Sequence, residues 1–448
     1  RRLIHILVGF LISSSPLIFT SNQKPTVLAI IFITLNTFAI KSKIFRAIHS
    51  QERMSYGTIY FPLSYLIIIL FFWDYSELII ISLSILTFSD PIASYFGSKS
   101  TDDKTFIVWV DRKSYMGAIA FLISSFIITY ILSHFLLEIS AEHIIIQCIL
   151  ISFGSTIAEL TSSKGSDNLS IPIFSILLLI GLNDLIVNKH MNTIDIVQIK
   201  VLPIIILTLL FYFAYNLNTL NMSGFFGGLM MGILIIILSS PVNLITLTVF
   251  FVFSSILSKI LKNPNFIVNK GSRRDIIQVY ANGGIPLLFC VIDFFFPHPF
   301  NKLLFFSSVS AAMSDTWATE FGKLSKIKPI SITTLRTVEH GISGGITRIG
   351  ILGSLLGSCI IGLLSWILIP ASDIIVYGII FSGFLGSIFD SFIGSLFQAK
   401  YRTVEGMVIE NNIGRSSLIS GLDWVTNDIV NLVNTAFAPL IMYVFFLW

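Results

Sequence analysis

The sequence predicts an all-α fold: a polytopic transmembrane helical bundle of about fifteen spans, arranged as two parallel-oriented halves. Three observations predict it. Hydrophobic residues make up 54% of the 448 and charged ones only 12%, whereas a soluble chain carries about a quarter charged residues; the mean hydropathy is +0.87. Apolar runs follow one another from Leu3 to Trp448, each long enough, or nearly so, to cross roughly 30 Å of hydrocarbon as a helix. A short acid-bearing motif occurs twice, once in each half. A water-soluble globular enzyme is excluded by composition, and a β-barrel by the absence of alternation.

Taken in order, the first span lies near residues 3–20; the chain begins at Arg1, and the run lacks a small-residue cleavage site, so it reads as a span and not a signal. Runs near 25–40, 59–73, 78–97, 115–133, 143–160 and 170–187 complete the first seven. The stretch from Lys189 to Lys200, rich in Asn and charge, is the expected seam, giving halves 1–190 and 195–448. Eight further runs follow near 201–217, 222–238, 241–258, 276–296, 303–321, 347–369, 374–398 and 424–448. If connections alternate sides, 24 of the 28 Lys and Arg residues share a side with Arg1, leaving Lys24, Lys189, Lys200 and Lys302 opposite. The positive-inside rule then puts the N-terminus and the charged loops in the cytoplasm. The net charge of +4 is therefore an orientation signal, and basic residues so scattered make no nucleic-acid surface. Cys148, Cys290 and Cys359 lie far apart inside apolar runs, as core packing rather than disulfides or a zinc site.

The repeated motif is SDPIASYFG at 89–97 and SDTWATEFG at 314–322, identical at five of nine positions. Each copy ends a span; a charged loop follows, then a glycine-bearing helix start, KSYMGAIAF at 113–121 and HGISGGITRIG at 340–350. Two spans after the motif each half sets an acid in or beside a helix, Glu159 and Asp390, and then an Asp and Asn cluster, Asp167 with Asn168 and Asp423 with Asn427 and Asp428. The motif copies are eight spans apart, an even number, so both face one side, unlike the equivalent elements of an inverted-repeat transporter.

A carboxylate at membrane depth costs several kcal/mol unless it is paired, hydrated or bound to a cation. On a helix Asp90, Ser94 and Gly97 share a face, as do Asp315, Thr319 and Gly322, which makes half of a hard-cation site. The competing reading of Asp90 before Pro91 is a plain helix cap, and that of Glu159, Asp167 and Asn168 around Lys164 is a solvated loop with local ion pairs. The small residues of GSIFDSFIGSLFQ suit close helix packing, which leaves Asp390 among them unexplained. Gly344 and Gly345 beside Arg348 can cradle phosphate oxygens with backbone N–H groups. His340, between Arg336 and Arg348, is the one histidine retained as a candidate.

At these residues the first half resembles the CTP-dependent lipid kinases of the phytol, dolichol and diacylglycerol kinase type, on SDPIASYFG, RKSYMGAIAF and AELTSSKGSDNLSIP. It departs from them in a longer, more acidic loop, KSTDDKTFIVWVDRKS. The second half is similar to the phytyl-phosphate kinase family, on SDTWATEFG, HGISGGITRIG, GSIFDSFIGSLFQ, GLDWVTNDIVN and the GSRRDIIQVYANGG run at 271–284. The resemblance implies a fusion that phosphorylates an isoprenoid alcohol to its monophosphate and then to its diphosphate, in the membrane, with CTP or another nucleoside triphosphate and Mg²⁺.

Phosphoryl transfer asks for positioning and charge neutralisation. Asp90 with Glu159 or Asp167 is expected to hold the Mg-nucleotide, with Arg112 and Lys113 on its phosphates, Gly117 and Asn168 at the nucleotide, and one remaining acid taking the alcohol proton. The second nucleophile is already an anion and needs cationic reception. Residues 98–116 carry net +1 and residues 323–348 net +4. Arg336, His340 and Arg348 are therefore expected on phosphate with Gly344, Gly345 and Asn427, and Asp315, Asp390 and Asp428 on the metal. Two rival functions are a lipid cytidylyltransferase of the CDP-diacylglycerol synthase type, whose terminal signature is missing, and a cation-coupled transporter, which the parallel repeat disfavours.

Overall fold

The computed structural model describes residues 2–42, 56–101, 104–261, 273–404, 406–412, 414 and 416–447. Asp102 and Asp103 of the acidic loop, and Gly271 and Ser272 of the glycine-bearing run, lie outside them. The protein is an all-α polytopic membrane protein. Each of the fifteen expected runs is helical: Arg2–Ser13, Gln23–Lys41, Gly57–Phe72, Ser76–Gly97, Tyr115–Leu136, Ala141–Leu160, Asp167–Asn188, Thr193–Asn216, Met222–Leu238, Pro241–Ile260, Ile276–Phe295, Pro299–Gly322, Arg348–Leu368, Asp373–Phe397 and Asn427–Leu447. By length and composition, eleven helices among the described residues can cross a membrane, while Arg2–Ser13, Gly57–Phe72 and Met222–Leu238 are apolar but shorter.

Two compact units form: Arg1–Tyr215 with Phe225–Leu238, and Asn216–Gly224 with Ser239–Trp448. Compact packing thus divides the chain later than residues 190–195. The reason is local. Gly181 admits Ile237 and Leu238, Gly232 admits Leu207, and the buried Lys200 ammonium donates to Ile236 O at 2.5 Å, so both helices after the seam pack on the first unit. That bond also gives a cation to the last carbonyls of the Met222–Leu238 helix, where the macrodipole is negative.

Among the first unit's helices long enough to cross a membrane, the most buried are Ser76–Gly97, Ala141–Leu160 and Asp167–Asn188. The latter two pair antiparallel, with Gly154 against Leu178 and Phe174 and with Ser155 bonded to Ser175 at 2.8 Å. Pro91 interrupts no helix. The ladder shifts to a π turn at Ile85–Ser89 just before it and then resumes through Asp90–Gly97, an arrangement that suits a residue with no N–H to donate.

In the second unit Pro299–Gly322 is the central helix. Every residue from Phe305 to Ser314 is buried, and four of these ten are serines. Three of them bond across helix contacts, Ser307 to Ser382 at 2.9 Å, Ser308 to Thr435 O at 2.8 Å and Ser314 to Ser354 O at 2.8 Å, while Ser310 Oγ, pressed against Gly383, has no hydrogen-bond partner among the described residues. Small β elements lie between the helices. A hairpin pairs Thr105–Ile107 with Arg112–Ser114, a second pairs Ile330–Ser331 with Gly345–Ile346, and an antiparallel three-stranded sheet has Lys400–Arg402 between Val408–Ile409 and Ser417–Ser420.

Candidate functional site

In the first unit Asp90 is half-buried and stands inside the continuous Ser76–Gly97 helix, just after its π turn, rather than at a free helix start. Its surroundings are charged: the carboxylates of Asp167 and Glu159 and the cations Lys113 and Arg2 all act on it electrostatically. The acids expected together from the sequence therefore converge. Lys113, expected on phosphate, is held by the protein's own acceptors. Its ammonium donates to Glu159 Oε1 at 2.7 Å, Glu159 O at 2.7 Å and Ser162 Oγ at 3.1 Å, and an ammonium has only three donors. Lys113 thus ties the Arg112–Ser114 strand to the end of the Ala141–Leu160 helix. Arg112 is exposed. Asp111 accepts the Lys164 N–H at 2.9 Å and steadies the turn of Lys164 (φ +50°) and Gly165 (φ +89°) that leads into Asp167. Asp167 Oδ1 in turn accepts from the backbone N and the side-chain Nδ2 of Asn168, each at 2.9 Å. Sequence reasoning missed Arg2, whose guanidinium reaches Ser94 O at 2.9 Å from the far end of the unit's chain.

In the second unit helix register sets the acids. Pro299–Gly322 and Asp373–Phe397 run parallel, since Ser310 lies on Gly383 and Ala311 on Gly386. Four residues on from that last contact, on the same faces, stand Asp315 and Asp390. Asn427–Leu447 runs antiparallel, since Ser308 meets Thr435 and Ala311 O meets Asn434 Nδ2 at 3.5 Å. Seven residues forward from Ser308 is Asp315, and seven back from Thr435 is Asp428, two turns away on each helix. Three acids thus stand at one level, and Asn427, Asn431 and Asn434 share the inward face of the third helix. Asp390 is buried, while Asp315, Asn427 and Asp428 are half-buried.

The repeat extends to atomic packing. Ser114 caps its helix by accepting Gly117 N–H at 3.0 Å, and Thr347 caps the other by accepting Gly350 N–H at 3.0 Å. A Cβ on Gly117 would lie 3.2 Å from Ala93 O and 3.4 Å from Gly97 Cα; one on Gly350 would lie 3.1 Å from Ala318 O and 3.6 Å from Gly322 Cα. In both units the motif helix therefore crosses the helix after the hairpin at a glycine pair, with backbone against backbone. The counterpart of Gly117 is accordingly Gly350, so that Lys113 corresponds to Ile346 and Arg112 to Gly345.

Except for Asn427 on the last helix, the expected phosphate residues of the second unit lie along one segment, from Arg336 to Arg348. Arg336 and Arg348 are exposed and His340 is half-buried. Gly344, at φ +83°, lies flat on the Asp373–Phe397 helix, and Gly345 pairs with Ser331 in the hairpin. Exposed Glu339 bonds Lys328 at 2.6 Å, which holds its carboxyl below the usual range. Burial pushes the Lys400 ammonium down, with Glu410 opposing. Tyr401 donates to Asp423, and that bond pushes its phenol up.

Among the described residues no three His, Cys, Asp or Glu side chains are gathered closely enough to hold a metal by themselves. The donors present are carboxylate and amide oxygens. That set fits Mg²⁺, which takes one or two carboxylates and keeps several waters.

A family model described as integral membrane protein DUF92 matches residues 205–439. The chain is 35% identical over 162 residues to an uncharacterized membrane protein of Methanocaldococcus jannaschii, covering 36% of this chain and 67% of that one. It is 26% identical over 200 residues to probable phytol kinase 2, chloroplastic, of Glycine max (42% and 68% covered) and 27% identical over 198 residues to phytol kinase 1, chloroplastic, of Arabidopsis thaliana (40% and 64%). The chain thus spans about two thirds of the length of these relatives. No solved structure matches.

Proposed function

Since this chain belongs to the integral membrane protein family DUF92, we propose that it is a membrane phosphotransferase acting on an isoprenoid alcohol of the phytol, geranylgeraniol or farnesol type. It takes the γ-phosphoryl group of a nucleoside triphosphate, CTP first, to make the monophosphate and then the diphosphate. Residues 1–190 carry the first step and residues 195–448 the second, with the N-terminus and charged loops in the cytoplasm. The single observation that supports this most is the duplicated crossing, which in each unit sets a motif acid beside two others: Asp90 with Glu159 and Asp167, and Asp315 at the level of Asp390 and Asp428. The kinase names of two relatives point the same way.

Bound Mg²⁺ supplies charge neutralisation on the triphosphate; Asp90 or Asp167 would hold it in the first unit, and Asp315 with Asp390 or Asp428 in the second. With Glu159 held by Lys113, the other of Asp90 and Asp167 takes the proton as the alcohol oxygen bonds to the γ-phosphorus and the β–γ bridge breaks to release the nucleoside diphosphate. The second step needs no such proton acceptor, since its nucleophile is a phosphate oxygen. There His340, Arg336 and Arg348 receive the incoming monophosphate.

Purified protein is incubated with Mg²⁺, labelled CTP or ATP, and phytol, farnesol or geranylgeraniol, or their monophosphates, and the products are resolved. Asp90→Asn is expected to lose alcohol phosphorylation while still converting supplied monophosphate, and Asp315→Asn to do the reverse. Each loss should reach about 100-fold or more. If both activities fall in each variant, or neither does, the two-site reading fails; release of pyrophosphate would indicate cytidylyl transfer instead.

A further inference from the structure

The loop at 341–345 carries two left-handed glycines, Gly341 (φ +85°) and Gly344 (φ +83°). A Cβ on Gly344 would lie 2.3 Å from Ser395 Cβ and 2.8 Å from Ser391 O, so the loop is seated directly on the Asp373–Phe397 helix, within about one and a half turns of Asp390. Between the two glycines, the Ser343 N–H donates to Glu410 Oε1. The other oxygen of the same carboxylate accepts from Gln398 Nε2 at 2.7 Å, and Gln398 is only 1% exposed. Lys400 interacts electrostatically with Glu410, and its Nζ donates to Ser395 O at 3.0 Å. Thr333 and Ser395 bond one another by their hydroxyls at 2.6 Å beside the same glycine.

A backbone amide and a buried side-chain amide thus bond one carboxylate, and an ammonium held on Ser395 O acts on it electrostatically. Phosphate makes the same demands as that carboxylate, with two or more oxygens in a plane of donors and negative charge to be met, and it satisfies them with more charge. We propose that this is a phosphate-oxygen site which the protein's own Glu410 closes in the absence of ligand, so that an entering phosphate displaces Glu410 and the 406–412 segment that carries it. The site's place in catalysis rests on the phosphotransferase reading; its capacity for phosphate does not. The phosphate belongs either to the nucleotide or to the lipid monophosphate.

Binding of inorganic pyrophosphate, CTP and phytyl monophosphate is measured by calorimetry on the full-length protein in detergent, wild type against Glu410→Gln. Gln keeps an acceptor for Ser343 and removes the competing charge, so pyrophosphate should bind about tenfold tighter to the variant. A matching gain with CTP alone identifies a nucleotide site, and a gain with phytyl monophosphate alone identifies a lipid-phosphate site. Equal or weaker binding of every probe to the variant overturns the proposal. In the wild type, hydrogen exchange should quicken across 406–412 and slow at Ser343 when pyrophosphate is added, and no change in either stretch would also overturn it. A protein inactive as a kinase whose variant still gains affinity keeps this site and loses the kinase reading. An active kinase without the gain does the opposite.

Discussion

Replacing Lys113 with Met takes away an ammonium that spends all three donors inside the first unit, two on Glu159 at 2.7 Å each and one on Ser162 at 3.1 Å. The side chains of the ion pair are only 14% and 13% exposed, so water does not freely replace the lost partner. The penalty approaches that of orphaning a buried charge, about 3 kcal/mol. In a cooperative unit of roughly 200 residues that corresponds to a Tm lower by about 6–12 °C. The assay is thermal unfolding of the detergent-purified protein followed by tryptophan fluorescence. Adding Glu159→Gln to Lys113→Met removes the abandoned charge and should return most of the loss, because the Met stem still fills the space of the lysine's methylenes. A Lys113→Met protein that melts with the wild type, or a double variant no better than the single one, would refute the reasoning.

Other predictions concern the second unit. A Cβ on Gly357 would meet backbone, Met313 O at 2.9 Å and Ser314 Cα at 3.0 Å, whereas one on Gly284 would meet only Tyr280 Cδ1 at 3.9 Å. Gly357→Ala should therefore cost about 1–3 kcal/mol by thermal unfolding, and Gly284→Ala should be neutral or stabilising by up to about 1 kcal/mol. The phenol of Tyr401 is raised above its ordinary 10.0 by the bond to Asp423, so the folded state holds that proton more tightly than the unfolded one. The resulting stability is complete below about pH 10 and is lost as pH rises through the raised value; melting curves of Tyr401→Phe against wild type should converge in that alkaline window.

Much of the fold was legible because lipid imposes one dominant signal, a run of apolar residues long enough to be a helix, and every such run is helical. The acids were legible for the converse reason: Asp90 and Asp390 stand out where a carboxylate needs a partner. The register of the repeat was not. The match between Gly117 and Gly350 rests on backbone packing against Ala93 and Ala318 and on two hydroxyl caps, Ser114 and Thr347, and the glycine-rich HGISGG drew attention to Gly344 and Gly345 instead. Arg2 was invisible because nothing in a linear string brings residue 2 to Ser94. The bond from Lys113 to Glu159 was not legible because a basic side chain before a glycine-bearing helix looks the same whether it meets phosphate or a carboxylate. Leu335 (φ +55°) and Asn218 (φ +58°) likewise carry left-handed turns that no glycine announces.

The π turn at Ile85–Ser89 holds one residue more than an α turn needs. It therefore works as a slip joint in the first unit: shortening that turn by one residue converts it to ordinary helix and leaves both Asp90 below it and the packed stretch above it facing where they did. The second unit has no such slack. Its acid rides on the unbroken Pro299–Gly322 rod, where losing one residue would swing everything upstream by about 100° and pull Ser308 and Ser310 off their neighbours. Sequence length is thus free to drift ahead of the first acid and is clamped ahead of the second.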